Sequence, residues 1–288
     1  MAYDSYSRLK ISRDGGRLTA LVDNPPINLM TLELYSELSR LSLELEADPE
    51  VMVFVLKSAN PDFFIAHFDV AAILGFPIDQ PAAREAAGQN AFHAMCQRFG
   101  SMKAVTIALI EGRVGGGGSE LVMGFDMRFG VRGQTRINQM EVPLGILPGG
   151  TGTQRLPRLI GRARALEVIL GGGDLDAETA AAWGYLNRCL EADEIGPFVD
   201  DLAARICAWP AEAVILAKRA VSLAAGPLPE GLVEESFLFQ SLIRDETARL
   251  KMQRFLDLGG QTPEGEREVE RLSRQLAGAP SGPITSAD

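Results

Sequence analysis

Glu120 and Glu141 each stand beside a glycine-rich loop, and these two segments hold the residues best placed to do chemistry. Glu120 follows four consecutive glycines, Gly115 to Gly118, in "EGRVGGGGSELVMGFDMRFG". Glu141 precedes a loop stiffened by Pro143 and Pro148 and made close-fitting by Gly145, Gly149, Gly150 and Gly152, in "NQMEVPLGILPGGTGTQRL". Glycine lets another group come close to the main chain, but a run of it costs conformational entropy and calls for a compensating reason. The candidates are a phosphate cradle, a site for a developing oxyanion, tight helix packing or a flexible linker.

A phosphate loop needs GxxxxGK[ST], and no lysine follows these glycines. The GxGxxG dinucleotide fingerprint is met only through sheer glycine content, without a convincing acidic residue about 20 positions on. A linker is excluded because buried-type apolar segments lie on both sides. Ser119 is no hydrolase nucleophile, since "GGGGSE" is not GxSxG and the chain has only two histidines. What remains is a strand ending in a glycine loop that enters a short helix, where free N–H groups favour negative charge. An enolate oxygen developing there would be held by preorganised donors. Gly117 is a good donor because a side chain would obstruct the approach. Tight helix–strand packing is the competing reading of the same glycines.

These loops need a framework to position them. Tyr6–Ser12 and Leu18–Asp23 read as a hairpin turning at Asp14-Gly15-Gly16. "NPPIN" (Asn24–Asn28) breaks regular structure. Thr31 then caps a helix to about Ala47, with Leu34, Leu38, Leu41 and Leu45 as its apolar stripe. Val51–Ser58 and the run from Ala104 are buried-type strands, with a helix from Ala82 to about Phe99 between them. Ser119–Phe125 is a short helix and Met127–Val131 another strand. The alternation predicts an α/β sheet with helical crossovers. From Arg155 the pattern turns mostly helical, over 163–170, 177–183, 195–208, 211–224 and 230–256, so the chain divides near Leu156. A polar tail ends in "GAPSGPITSAD", with an exposed helix at 264–276 and a disordered last dozen residues.

Whole-chain properties narrow the function classes. The 288 residues suffice for a substantial core, and 46% hydrophobic with 23% charged residues is ordinary for a soluble globular protein. A net charge of −10 argues against non-specific nucleic-acid binding. Cys96, Cys189 and Cys207 are far apart and form no CxxC or Cys/His cluster, so neither a zinc site nor a disulfide framework is expected. The amino terminus lacks the apolar core of a signal peptide, and no apolar run reaches membrane-spanning length. A soluble, cytoplasmic protein without membrane or nucleic-acid partners is the expectation.

Several segments, in order and spacing, resemble the enoyl-CoA hydratase/isomerase (crotonase) family. "IEGRVGGGGSEL" and "MEVPLGILPGGTGTQRL" resemble its two signature segments. "NPPIN" and "FFIAHFDVAAI" (from Phe63) resemble its CoA-contacting segments, and "RALEVILGGGDLDAETAAAWGYLNRCL" the helical stretch after them. The likeness covers roughly Leu9–Val221. It implies a spiral of ββα units over 1–200 carrying the acyl-CoA site. A helical C-terminal trimerisation region over 201–259 and a polar, partly disordered tail over 260–288 would follow.

The resemblance also assigns roles. The main-chain N–H groups of Phe68 and Gly117 would form an oxyanion hole for the thioester carbonyl. Ala66, His67, Asp69, Val70 and Ala71 would contact the substrate. Glu120 and Glu141 would hold a water and add it across a 2-enoyl-CoA, giving a 3-hydroxyacyl-CoA. Glu120 would accept the proton and Glu141 serve the α-carbon. No metal and no cofactor beyond the substrate's own coenzyme A is implied, and a homotrimer or homohexamer is expected. Departures are His67-Phe68 where the family has glycine and alanine, Glu111 where it often has asparagine, and the missing basic residue near Ala71. Arg113 or Lys218 would have to compensate for that last change. His67 reads as packed or close to CoA, and His93 as structural or exposed. The alternatives are an enoyl-CoA isomerase or other crotonase chemistry, and a non-catalytic acyl-CoA-binding protein.

Overall fold

The computed structural model describes residues 3–76, 89–224, 226, 246–259 and 275–276. Two compact units are present, Met1–Asp200 and Asp201–Asp288. Among the described residues, all the strands lie in the first.

A hairpin of β1 (Leu9–Asp14) and β2 (Arg17–Val22) starts the larger sheet, turning at Gly15 with φ +57°. β3 (Val53–Ser58), β5 (Val105–Ile110), β7 (Met127–Val131) and β10 (Arg188–Leu190) add to it in parallel, giving the order β1-β2-β3-β5-β7-β10. A second sheet, β4-β6-β8-β9, is built from short strands: Phe63–Ile65, Arg113–Gly115, Arg136–Asn138 and Leu175–Asp176. Each turn of the chain thus lays a long strand in the first sheet, a short one in the second, and then enters a helix. This is the ββα spiral.

Helix α1 (Leu32–Ala47) is capped by Thr31, whose hydroxyl accepts from the Leu34 N–H, and it buries Leu34, Leu38, Leu41 and Leu45 as its spacing predicts. A short α2 (Val70–Leu74) follows β4, and α3 (Ala91–Ser101) precedes β5. Of the helix expected from Ala82 to about Phe99, the described residues show α3 from Ala91, capped by Asn90; positions 82–88 lie outside them. Phe54 on β3, Phe99 on α3 and Phe125 pack together, with the last two ring centroids 4.8 Å apart.

Beyond Leu156 the sequence reads as mostly helical, and α5 (Gly152–Ile160), α6 (Arg162–Gly171), α7 (Ala177–Trp183), α8 (Ala192–Ala208), α9 (Ala211–Leu223) and α10 (Glu246–Asp257) are indeed there. The division near Leu156 nevertheless needs correcting. β9 and β10 lie after it and complete both sheets. Strands of two and three residues are too short to show an alternating pattern. Of the helix expected over 230–256, positions 230–245 fall outside the described residues, as does nearly all of the tail. Among the described residues, no helix is long and apolar enough to cross a membrane.

Candidate active site

Helix α4 (Gly116–Val122) starts directly after β6, three residues before the expected Ser119, so the glycines form its first turn. Each costs about 1 kcal/mol relative to alanine in a helix interior, which their surroundings must offset. At Gly118 a Cβ would lie 2.7 Å from the Ile65 carbonyl oxygen on β4, so a larger residue would push helix and strand apart. At Gly117 the nearest neighbour is different: a Cβ there would lie 3.0 Å from the Phe68 Cβ and 3.6 Å from the Phe68 nitrogen. The packing reading of the glycine run is therefore met at Gly118, while Gly117 lies against Phe68.

One parallel bridge, between Met30 and Phe68, fixes the main chain at Phe68. The Met30 N–H donates to the His67 carbonyl at 2.9 Å, and the Asp69 N–H to the Met30 carbonyl at 3.0 Å. In this ladder the residue between the two bonded ones points its own N–H away from the partner strand.

Glu120 is 4% exposed, and its Oε1 accepts from three consecutive main-chain N–H groups: Gly150 at 2.8 Å, Thr151 at 2.9 Å and Gly152 at 2.7 Å. Three donors converge because the loop bends sharply at Thr151, which holds a φ of 152°, a strained value for a β-branched residue. The Thr151 hydroxyl adds a bond to the Glu120 carbonyl at 3.2 Å. Burial raises the Glu120 pKa, and the three amide bonds work against it by favouring the anion.

Glu141 lies just before a 3-10 turn (Val142–Leu144), 8% exposed, and its Oε2 has no hydrogen-bond partner. Burial, then the negative charge of Glu120, push its pKa up to about 7. Buried polar atoms are normally satisfied, so an orphaned carboxyl oxygen calls for an explanation.

One cavity of about 500 Å³ joins these groups, with Phe68, Gly117, Glu120 and Glu141 all on its wall. Its apolar side includes three rings: Tyr35 stacks on Phe92 at 5.9 Å, and Phe68 meets both edge-on at 6.3 and 6.2 Å. Two carboxyl groups with raised pKa values on one cavity wall suit general acid–base work.

The other expected substrate contacts do not share this wall. Ala66 is buried against Gly115, and Asp69 caps α2 by accepting from the Ala71 N–H at 2.9 Å. His67 donates through Nδ1 to the Phe68 carbonyl at 2.8 Å, while Val70 is half-buried and Ala71 exposed. Arg113, suggested to compensate near Ala71, makes a two-pronged ion pair with Asp174 at 2.7 and 2.5 Å. Sequence reasoning missed the aromatic wall and the amide cradle around Glu120. The "PGGTG" glycines signalled close approach there, but not which side chain they receive. Among the described residues, no three His, Cys, Asp or Glu side chains gather as metal ligands.

Known proteins share the sequence and fold of this chain. The family model described as enoyl-CoA hydratase/isomerase matches residues 18–261. A crotonyl-CoA hydratase from Syntrophomonas wolfei is 30% identical over 208 residues, covering 72% of this chain and 78% of its own. A short-chain-enoyl-CoA hydratase from Clostridium acetobutylicum is 29% identical over 209 residues, covering 72% of this chain and 78% of its own. A crystal structure of a provisionally named enoyl-CoA hydratase from Streptomyces avermitilis has a TM-score of 0.68 and 38% identity, covering 95% of this chain and 99% of that one. With fold, glycine-flanked carboxylates and sequence match in agreement over most of its length, the chain belongs to the enoyl-CoA hydratase/isomerase family.

Proposed function

We propose that the protein adds water across the double bond of a 2-enoyl-CoA to give a 3-hydroxyacyl-CoA. The observation that carries this reading is the pairing, in one cavity, of an anchored carboxylate at Glu120 with an orphaned, readily protonated one at Glu141. The thioester carbonyl accepts from the Phe68 and Gly117 N–H groups, which draws electrons from the double bond and leaves Cβ electrophilic. Water attacks Cβ while ionised Glu120 takes its proton. The electron pair reaches the thioester oxygen as an enolate, where the two amides hold it. Protonated Glu141 then delivers a proton to Cα, and the carbonyl re-forms. Acid–base assistance of this kind is worth about 10²–10⁴ in rate.

The division of roles follows from the surroundings. Three N–H donors on one oxygen favour the charged form of Glu120, whereas at Glu141 burial and the charge of Glu120 outweigh a single main-chain bond. The apolar, ring-lined wall suits a hydrocarbon acyl group. Isomerisation of a 3-enoyl-CoA is the second reading, because shuttling a proton from Cα to Cγ needs a single carboxylate and Glu141 has an oxygen free for it. Loss of the enoyl absorbance of crotonyl-CoA on adding the protein tests the proposal. Turnover of 3-enoyl-CoA alone would replace it with isomerisation, and binding of acyl-CoA with no turnover of either would leave a binding protein.

A further inference from the structure

The Glu120 cradle needs something to hold it in turn. Its donors come from a stretch with Gly149, Gly150 and Gly152 and a strained Thr151, so the local sequence gives the main chain little preference for this shape. An outside contact has to fix it. His93, on the first turn of α3, supplies one: its Nε2 donates to the Gly149 carbonyl at 2.7 Å.

A carbonyl can only accept, so Nε2 must carry the hydrogen in this bond. That leaves Nδ1 to accept, and the Asn90 N–H faces it at 3.4 Å. The Asn90 side chain returns the bond by accepting from the His93 N–H at 2.8 Å, completing a capping box that holds the ring at the helix start. Asn90, Ala91 and Phe92 line the cavity from one side, and Gly149 and Gly150 from the other. His93 ties these two walls together from behind.

We infer that His93 is a positioning residue, which fixes the Glu120 carboxylate through the Gly149 carbonyl and the three amides that follow it. The inference rests on the hydration reading for its kinetic consequences but not for the contact itself. A glutamine at 93 carries an amide N–H at about the reach of the imidazole Nε2, whereas an asparagine ends near the position of Nδ1.

The test uses the full-length chain as wild type, His93→Gln and His93→Asn, with two readouts. With crotonyl-CoA, His93→Gln is expected within about threefold of wild-type kcat, and His93→Asn roughly ten- to a hundredfold below it, with KM moving less than about threefold in both. By hydrogen–deuterium exchange, the amides of 150–152 should lose protection in His93→Asn and keep it in His93→Gln. Equal kcat in the two variants, a loss confined to KM, or unchanged exchange at 150–152 in His93→Asn would overturn the inference. A wild type without turnover counts against hydration alone, and the exchange measurement then decides on His93.

Discussion

Glu120 charges the surroundings of Glu141: the two carboxyl groups share one cavity, and the negative charge of the first, after burial, is what raises the pKa of the second. One is secured by three amides, and the other is left with an unpartnered oxygen. Burial raises the pKa of both carboxyl groups, and that of Glu141 reaches about 7.

This coupling has a consequence for stability. A carboxyl group whose pKa rises to about 7 on folding binds its proton more tightly in the folded state than in the unfolded one. Its contribution is complete below the unfolded value of about 4.3 and is lost as pH rises through about 7. Glu141→Gln is therefore expected to raise the melting temperature more at pH 8 than at pH 5. Thermal melts of both proteins at the two pH values check it; an equal shift at both would count against a raised pKa.

The glycine run separates into two roles that substitution can distinguish. Gly118→Ala places a Cβ 2.7 Å from a main-chain oxygen on β4 and should destabilise the fold, by about 1–3 kcal/mol. Gly117→Ala meets the Phe68 Cβ at 3.0 Å and crowds the two amides instead, so it should lower kcat roughly a hundredfold with a smaller loss of stability. Denaturant unfolding paired with steady-state kinetics on crotonyl-CoA measures both effects. Equal effects from the two variants would merge the roles.

In the proposed reaction Phe68 offers its main-chain N–H to the thioester, and its ring forms part of the aromatic wall. Phe68→Ala keeps the first and deletes the second. Crotonyl-CoA turnover should stay within about tenfold, and the kcat/KM ratio of a longer enoyl-CoA to crotonyl-CoA should rise as the cavity widens. Loss of the ring contacts should also lower stability, by about 1–3 kcal/mol. An unchanged chain-length ratio would show that the ring does not limit the acyl group.

Much of this architecture was legible in the residues. Leu34, Leu38, Leu41 and Leu45 announced one face of α1, and Thr31 its start, because cap chemistry and the 3.6-residue period are local. The apolar runs of β3 and β5 announced buried strands for the same reason. The second sheet stayed hidden, since β4, β6, β8 and β9 are two or three residues long and exist only through pairing with distant segments. At the site, types and order pointed to Glu120, Glu141 and Gly117. No local pattern could say that Gly150, Thr151 and Gly152 all turn toward Glu120, or that Tyr35 and Phe92 wall the same cavity. Those are facts of tertiary approach, as is the pairing of Arg113 with Asp174.

The most direct test of the proposed chemistry is crotonyl-CoA hydration by wild type, Glu120→Gln, Glu141→Gln and the double variant. If the two carboxyl groups act on one water and one proton cycle, each single change should cost about 10²–10⁴ in kcat, and the double change little more than the worse single one. A single variant that keeps wild-type hydration, or a wild type that binds crotonyl-CoA without hydrating it, would contradict the account.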